Sequence, residues 1–232
     1  LAKCVVLHTC HKHVPKYVGA SNHISSAGKQ LPDGLVAVEY IQPSEYGAYI
    51  NTGIVPPSNA DFRMVAGQFA RDKTTYCTFG QNWGAPSFSV RFHEGNDGVV
   101  IYANRSNIYL FNNKDVPIIL HRLYLVEKSG VSYSVTDLET KKKMRTTGQT
   151  YTSTNTAKVF LFRLSLKDNT FASRDYIQSF QISHEDEVLI DMVAVRFLNE
   201  NNEWEGAMYD WISGQLFRNA GNGAFIIGPD VE

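Results

Sequence analysis

Cysteine is scarce: the 232 residues hold three, Cys4, Cys10 and Cys77. An odd, low count supplies no disulfide framework, so the fold must be held by packing and hydrogen bonds, and the redox compartment stays open. An excess of either charge is lacking too. Lys plus Arg (22) nearly balances Asp plus Glu (23), for a net charge of -1. Without clustered basic charge there is no field to gather nucleic acid or anionic lipid, so no nucleic-acid partner is expected. No apolar run nears the roughly 20 residues that cross a bilayer as a helix, so no membrane span is expected. The opening LAKCVVLHTCHKH has too short an apolar stretch and too many histidines for a secretory signal. Leu at position 1 is what a processed product or a piece of a longer chain would show. Long amphipathic helices and a fixed-period repeat are absent as well, which sets aside solenoids and propellers.

What is present favours strands. There are 12 Tyr, 13 Phe and 3 Trp, and 43% of residues are hydrophobic. Aromatic and β-branched side chains fit a pleated, half-buried surface. From Leu35 onward, segments such as LVAVEYIQ, DFRMVAGQFA, SFSVRFHE and VVIYAN are short, and many alternate apolar with polar residues between Gly, Asn, Asp and Pro. That alternation is the mark of antiparallel sheets with one face buried. The clearest hairpin is HRLYLVEKSGVSYSVTDLET, with Lys128-Ser129-Gly130 as its turn and Gly130 where a positive φ is needed. About a dozen such segments without βα alternation predict a sandwich or jelly roll.

Residues 1–33 read differently. A short apolar run is followed by a His/Cys/Lys cluster and then SNHISSAGKQLPDG, whose composition marks a connector. We read residues 1–33 as an N-terminal arm and linker serving attachment or oligomerisation, and residues 34–232 as one β domain. The basic run Lys141-Lys142-Lys143 with Arg145 reads as a solvated hairpin tip.

Three ordered stretches resemble a known family. Glu39-Tyr40-Ile41 and Tyr49-Ile50-Asn51-Thr52-Gly53-Ile54 carry the first match. Phe160, Leu161, Phe162, Tyr176, Phe180, Ile182, Leu189, Asp191, Val195 and Arg196 carry the second. Tyr209, Asp210, Gly214, Phe217, Asn219, Gly221, Gly223 and Phe225 carry the third. Together they are similar to the concanavalin A-like, LamG-like jelly rolls of gut-bacterial surface proteins and their phages. The resemblance spans roughly residues 31–229 and leaves the arm outside. It implies an all-β, two-sheet antiparallel jelly roll. It also implies a non-catalytic binding or structural module: a phage head fibre, tail fibre or decoration protein, or a bacterial adhesin. The expected setting is a virion surface or the extracellular face of a cell. The expected partner is a surface glycan or a virion or cell-surface protein, and the expected assembly is a homo-oligomer, with a trimer favoured. The alternatives are a laminarinase-type glycoside hydrolase and a purely structural capsid-associated protein.

Retaining and inverting glycosidases need two carboxylates facing one groove, and no E-x-D-x-x-E pattern occurs. The acidic cluster Glu185-Asp186-Glu187 falls at a predicted hairpin tip. No G-x-S-x-G elbow is present, and Cys77 sits in a strand as a small hydrophobe. In the arm, Cys4, His8, Cys10, His11 and His13 are candidate soft-metal ligands, though C-x3-H-x-C-H-x-H departs from the usual zinc spacing. Calcium is possible in loops such as Asn96-Asp97-Gly98, whose residues are equally ordinary turn formers. No other cofactor is expected. For ligand binding, an exposed ring beside amides and carboxylates suits a sugar. Gln81, Asn82 and Trp83 form one candidate loop, and Asn199, Asn202 and Trp204 form another; the competing reading folds each ring over a sheet edge as a lid.

Overall fold

The structure, a computed structural model, describes residues 29–69, 77–81, 88–93, 98–103, 107–111, 116–148, 156–165 and 168–231. Among them there is no helix, and every strand pairing is antiparallel. With strands numbered in chain order, the larger sheet runs β11 (Lys143–Thr147), β10 (Ser132–Asp137), β9 (Tyr124–Ser129), β4 (Asp61–Gly67), β15 (Tyr176–His184), β16 (Glu187–Leu198), β17 (Trp204–Asp210), β18 (Leu216–Phe217). Attached to it are β1 (Leu35–Ala37) on β16, β2 (Ile41–Pro43) on β15, and β19 (Phe225–Ile227) on β2. The smaller sheet runs β3 (Ile50–Asn51), β12 (Phe160–Leu161), β5 (Phe79–Gly80), β6 (Phe88–His93), β7 (Gly98–Ala103), β8 (Asn107–Phe111). A separate hairpin pairs β13 (Arg163–Ser165) with β14 (Asp168–Ala172). This is the two-sheet jelly-roll sandwich that the alternating segments predicted.

The alternation decides the packing. On β9, Tyr124, Val126 and Lys128 point inward while Leu125 and Glu127 face outward. Met64, Val126, Val135, Phe180, Ile190, Met192 and Met208 of the large sheet meet Ile50, Phe79, Val90, Phe92, Ile101 and Leu161 of the small one. Phe79 joins the layers, its ring 4.9 Å from Phe62 and 5.0 Å from Phe180. Offset and edge contacts at such distances favour aromatic pairs beyond their area burial. Tyr124 brings a hydroxyl into this core, which donates to the Pro117 carbonyl (2.8 Å) and accepts from the Ile119 amide (2.8 Å). Lys128 is buried as well, because its ammonium reaches the carbonyls of Asn59 and Ala60 and the Asp61 carboxylate at 2.8–3.0 Å.

Strand β16 is covered on both faces. Ile190, Met192 and Ala194 face the inter-sheet core. Val193, Val195 and Phe197 face the other way, where Ala207 and Tyr209 join them under Leu31, Leu35, Trp211 and Leu216. Leu31 therefore packs on the sheet although it lies in the segment read as linker. The run EVLIDMVAVRFL reads as nearly continuous apolar sequence for this reason. The apolar run KVFLFRLSL is broken in the middle: Phe162 takes φ 68° and splits it into β12 and β13. The expected turn Lys128-Ser129-Gly130 is corrected to Gly130 and Val131, because Lys128 and Ser129 complete β9 and the Lys128 ammonium is paired inside.

The third family-like stretch closes the domain. Asn219 accepts through Oδ1 from the amides of Tyr49 (3.1 Å) and Gly221 (2.9 Å) and donates through Nδ2 to the Gly223 carbonyl (2.8 Å). A Cβ on Gly221 would fall on the Gly47 carbonyl oxygen and the Tyr49 ring. Gly53 is the opposite case: its φ is positive (72°), but nothing lies near its absent Cβ. Gly221→Ala is expected to cost about 2–4 kcal/mol in urea unfolding, against about 1–2 kcal/mol for Gly53→Ala. Equal costs would contradict this account of the turn.

Candidate binding surface

The hairpin joining β16 to β17 carries the most exposed tryptophan among the described residues. Leu198 pairs with Trp204, and Arg196 with Gly206. All of these side chains point to the inner face of the sheet. The cover over that face ends at Gly206, whose missing Cβ lies 3.0 Å from both Ile41 and Phe225. Beyond it, Trp204 is 47% exposed and Leu198 48%. Trp204 is nevertheless held. The guanidinium carbon of Arg196 sits 3.7 Å from the centre of its ring. Asp230, brought alongside by the bridge between Val38 and Asp230, grips that guanidinium with both oxygens, at 2.6 and 2.7 Å. Bidentate pairing fixes the plane of an arginine, and a guanidinium over an indole face is attracted by the ring quadrupole. Arg196 holds the Asp230 carboxyl below the usual carboxylate range. The result is an indole capped by Arg196 in a residue that stays 47% exposed.

The tip of the hairpin is built by Asn199. Its Oδ1 accepts from the amides of Asn201 (2.8 Å) and Glu203 (3.0 Å), and its Nδ2 donates to Glu205 at 2.7 Å. Asn202 takes φ 58°, a conformation that asparagine tolerates, and stands exposed. On the opposite face of β17, Glu205 pairs with Arg218 at 2.7 Å. The Asn199 and Arg218 contacts hold the Glu205 carboxyl below its ordinary range.

The candidates from the sequence therefore divide. Trp204 and Asn202 are available to a ligand. Asn199 shapes the turn, both ends of its amide being engaged within the hairpin. Gln81 is fully buried, with its Nε2 on the Ala157 carbonyl and its Oε1 on the Phe88 amide, both at 3.1 Å. It ties strand ends together and cannot touch a ligand from the surface. Its loop partners Asn82 and Trp83 lie outside the described residues, as do the arm candidates Cys4, His8, Cys10, His11 and His13 and the Asn96-Asp97 turn. Arg196 and Asp230, which are not among those candidates, complete the surface around Trp204. Glu185, Asp186 and Glu187 stand exposed around a hairpin tip, as expected; Lys141 and Lys142 are exposed in the connection between β10 and β11, while Lys143, also exposed, begins β11.

A second polar group lies on the outer face of the small sheet, beneath the β13–β14 hairpin. Leu164 packs on Gly80, close to buried Cys77, Thr78, Ser89 and Arg91. Asp175 is buried here, accepting from the Thr78 hydroxyl at 2.6 Å. Burial pushes its carboxyl up to about 6, against smaller opposing effects of hydrogen bonds from Thr78, Ser173 and the Phe69 backbone. Burial also pushes the Cys77 thiol up to about 12, which leaves it inert as a nucleophile at neutral pH.

No family model matches this chain, and no curated protein matches it in sequence. Among solved structures, it is similar to full-length tailspike protein 2 of Escherichia coli O157:H7 bacteriophage CAB120, at 9% identity and TM-score 0.47 over 70% of this chain. The match spans only 27% of the tailspike. A native heptameric pentraxin from Limulus polyphemus aligns at 12% identity and TM-score 0.48, over 84% of this chain and 94% of its own. Domains LG4-5 of the mouse laminin alpha1 chain align at 7% identity and TM-score 0.42, over 89% of this chain and 85% of theirs. What those proteins bind or assemble into is theirs. The architecture of this chain stands on its own strand order.

The raised Asp175 carboxyl gives a pH signature. The folded state holds this proton where the unfolded chain has released it, so the Asp175 contribution to stability falls as pH rises from about 4 through 6 and then levels off. Asp175→Asn removes the ionisation. The wild-type minus variant unfolding free energy should decline over that window by on the order of 2–3 kcal/mol. A pH-independent difference would contradict the assignment.

Proposed function

We propose that this chain is a non-catalytic binding module of a virion surface or an extracellular cell surface, which presents Trp204 to a glycan or protein on its target. The observation that carries the reading is the fixed yet exposed indole. A large apolar ring left in water is ordinarily covered or mobile, and this one is immobilised by Arg196 and Asp230 instead. A rigid aromatic loses little conformational freedom on binding, which is why such rings dominate recognition surfaces. The setting rests on the three family-like stretches. So does the expectation of a homo-oligomer, for which the arm is the natural assembly segment.

The test is surface capture. The 232-residue chain is passed over bacterial cells, isolated envelope glycans and virion proteins, beside Trp204→Ala. Retention of wild type that drops at least about tenfold in the variant supports the reading (about 1.4 kcal/mol). Equal retention of both contradicts the placement of the site. Release of reducing sugar from a β-glucan by the wild-type chain would overturn the non-catalytic reading in favour of a hydrolase. Light scattering of the full chain should give a multiple of the 26.0 kDa protomer mass.

A further inference from the structure

The charge around Trp204 narrows the chemistry of the ligand, an inference that rests on the binding-module reading. The hairpin and its neighbours carry Glu200, Glu203, Glu205 and Asp230 against two cations, Arg196 and Arg218. Both cations are already engaged. Arg196 is held by Asp230 at 2.6 and 2.7 Å, and Arg218 by Glu205 at 2.7 Å. Glu200 and Glu203 stand exposed without a cation bound to them among the described contacts, so the rim around the ring is net negative. A ligand bearing carboxylate, sulfate or phosphate would meet like charge here and find no free guanidinium to pair with.

The ring has one face to offer. Arg196 sits over the other, its guanidinium carbon 3.7 Å from the ring centre, and the residue remains 47% exposed. Leu198, 48% exposed and directly across the strand pair, adds apolar surface beside it. Asn202 and Glu203 stand at the adjacent tip with exposed side chains able to donate to and accept from hydroxyls. An apolar plane bordered by hydrogen-bonding groups matches a pyranose, which has a C–H face and a hydroxyl rim. We propose that Trp204 is a stacking platform for a neutral pyranose unit, a hexose or N-acetylhexosamine. Arg196 and Asp230 act as positioning residues that hold the indole in place, and acidic saccharides are rejected.

The experiment uses the full chain and paired oligosaccharides sharing one core, neutral or capped with sialic acid or sulfate. Binding is read by saturation-transfer NMR and by tryptophan fluorescence, with Trp204→Phe identifying the contribution of this ring. The neutral member is expected to bind and to perturb the Trp204 signal, and its acidic counterpart to bind at least about tenfold more weakly. Trp204→Ala should lose binding at an unchanged melting temperature, since the ring is half exposed, while Trp204→Tyr keeps part of it. Asp230→Asn should weaken binding several-fold, and Asp230→Glu should restore it, a rescue that loss of fold would not give. Preference for the acidic member, with steep salt dependence, overturns the ligand class. Glycan binding unaffected at Trp204 overturns this platform while leaving a glycan-binding module. Capture of a protein through Trp204 with no saccharide bound overturns the saccharide proposal and leaves the module standing. Absence of any binding partner overturns both.

Discussion

Strand β16 has to be buried on both faces, and the rest of the domain is arranged to satisfy it. Its inner side chains are met by the inter-sheet core. Its outer ones, Val193, Val195 and Phe197, would form an apolar stripe in water if nothing covered them. The chain supplies the cover from its two ends of sequence: Leu31 ahead of β1 and Leu35 at its start, Trp211 and Leu216 after β17. The strand also changes partner along its length, pairing with β15 through Val193 and with β1 from Val195. One long strand thus ties the entry and exit of the domain to its centre.

The binding surface is a consequence of where that burial stops. The β2–β19 pair covers the inner face as far as Gly206. The next inward positions, Arg196, Leu198 and Trp204, have no sheet above them. An arginine at an inward position could not be left in a dry core unpaired. At the rim it can use its stem for packing, its plane for the indole and its donors for Asp230. The same alternation that builds the core therefore delivers a rigid ring to the surface. The buried polar group around Asp175 is the contrasting case. There the outer face of the small sheet is closed by the β13–β14 hairpin, and its polar side chains bond to one another instead of facing water.

Much of this was legible in the sequence. Alternation marks the strands, Gly130 marks its hairpin, and Asn219, Gly221 and Gly223, which carry the third resemblance, form the turn that closes the domain. The kink at Phe162 was not legible, because an apolar residue in the left-handed region leaves no compositional trace. Trp204 was found for a sound reason, a large ring in a polar stretch, but was placed in a loop when it begins a strand. Asn199 and Gln81 were read as ligand contacts because a sequence does not reveal whether an amide is already satisfied by backbone. Arg196 was counted as a fold residue, and Asp230 passed unnoticed near the chain end. A signal did exist: an arginine at an inward position near the end of an apolar strand, with a tryptophan at the start of the next, needs an anion.

The most direct test is a map of backbone and indole NMR shifts as a neutral oligosaccharide is titrated into the full chain. The account predicts that the perturbations cluster on Arg196, Leu198, Asn202, Trp204 and Asp230. A cluster on the outer face of the small sheet, around Arg91 and Asp175, would contradict it and move the functional site to the opposite side of the sandwich.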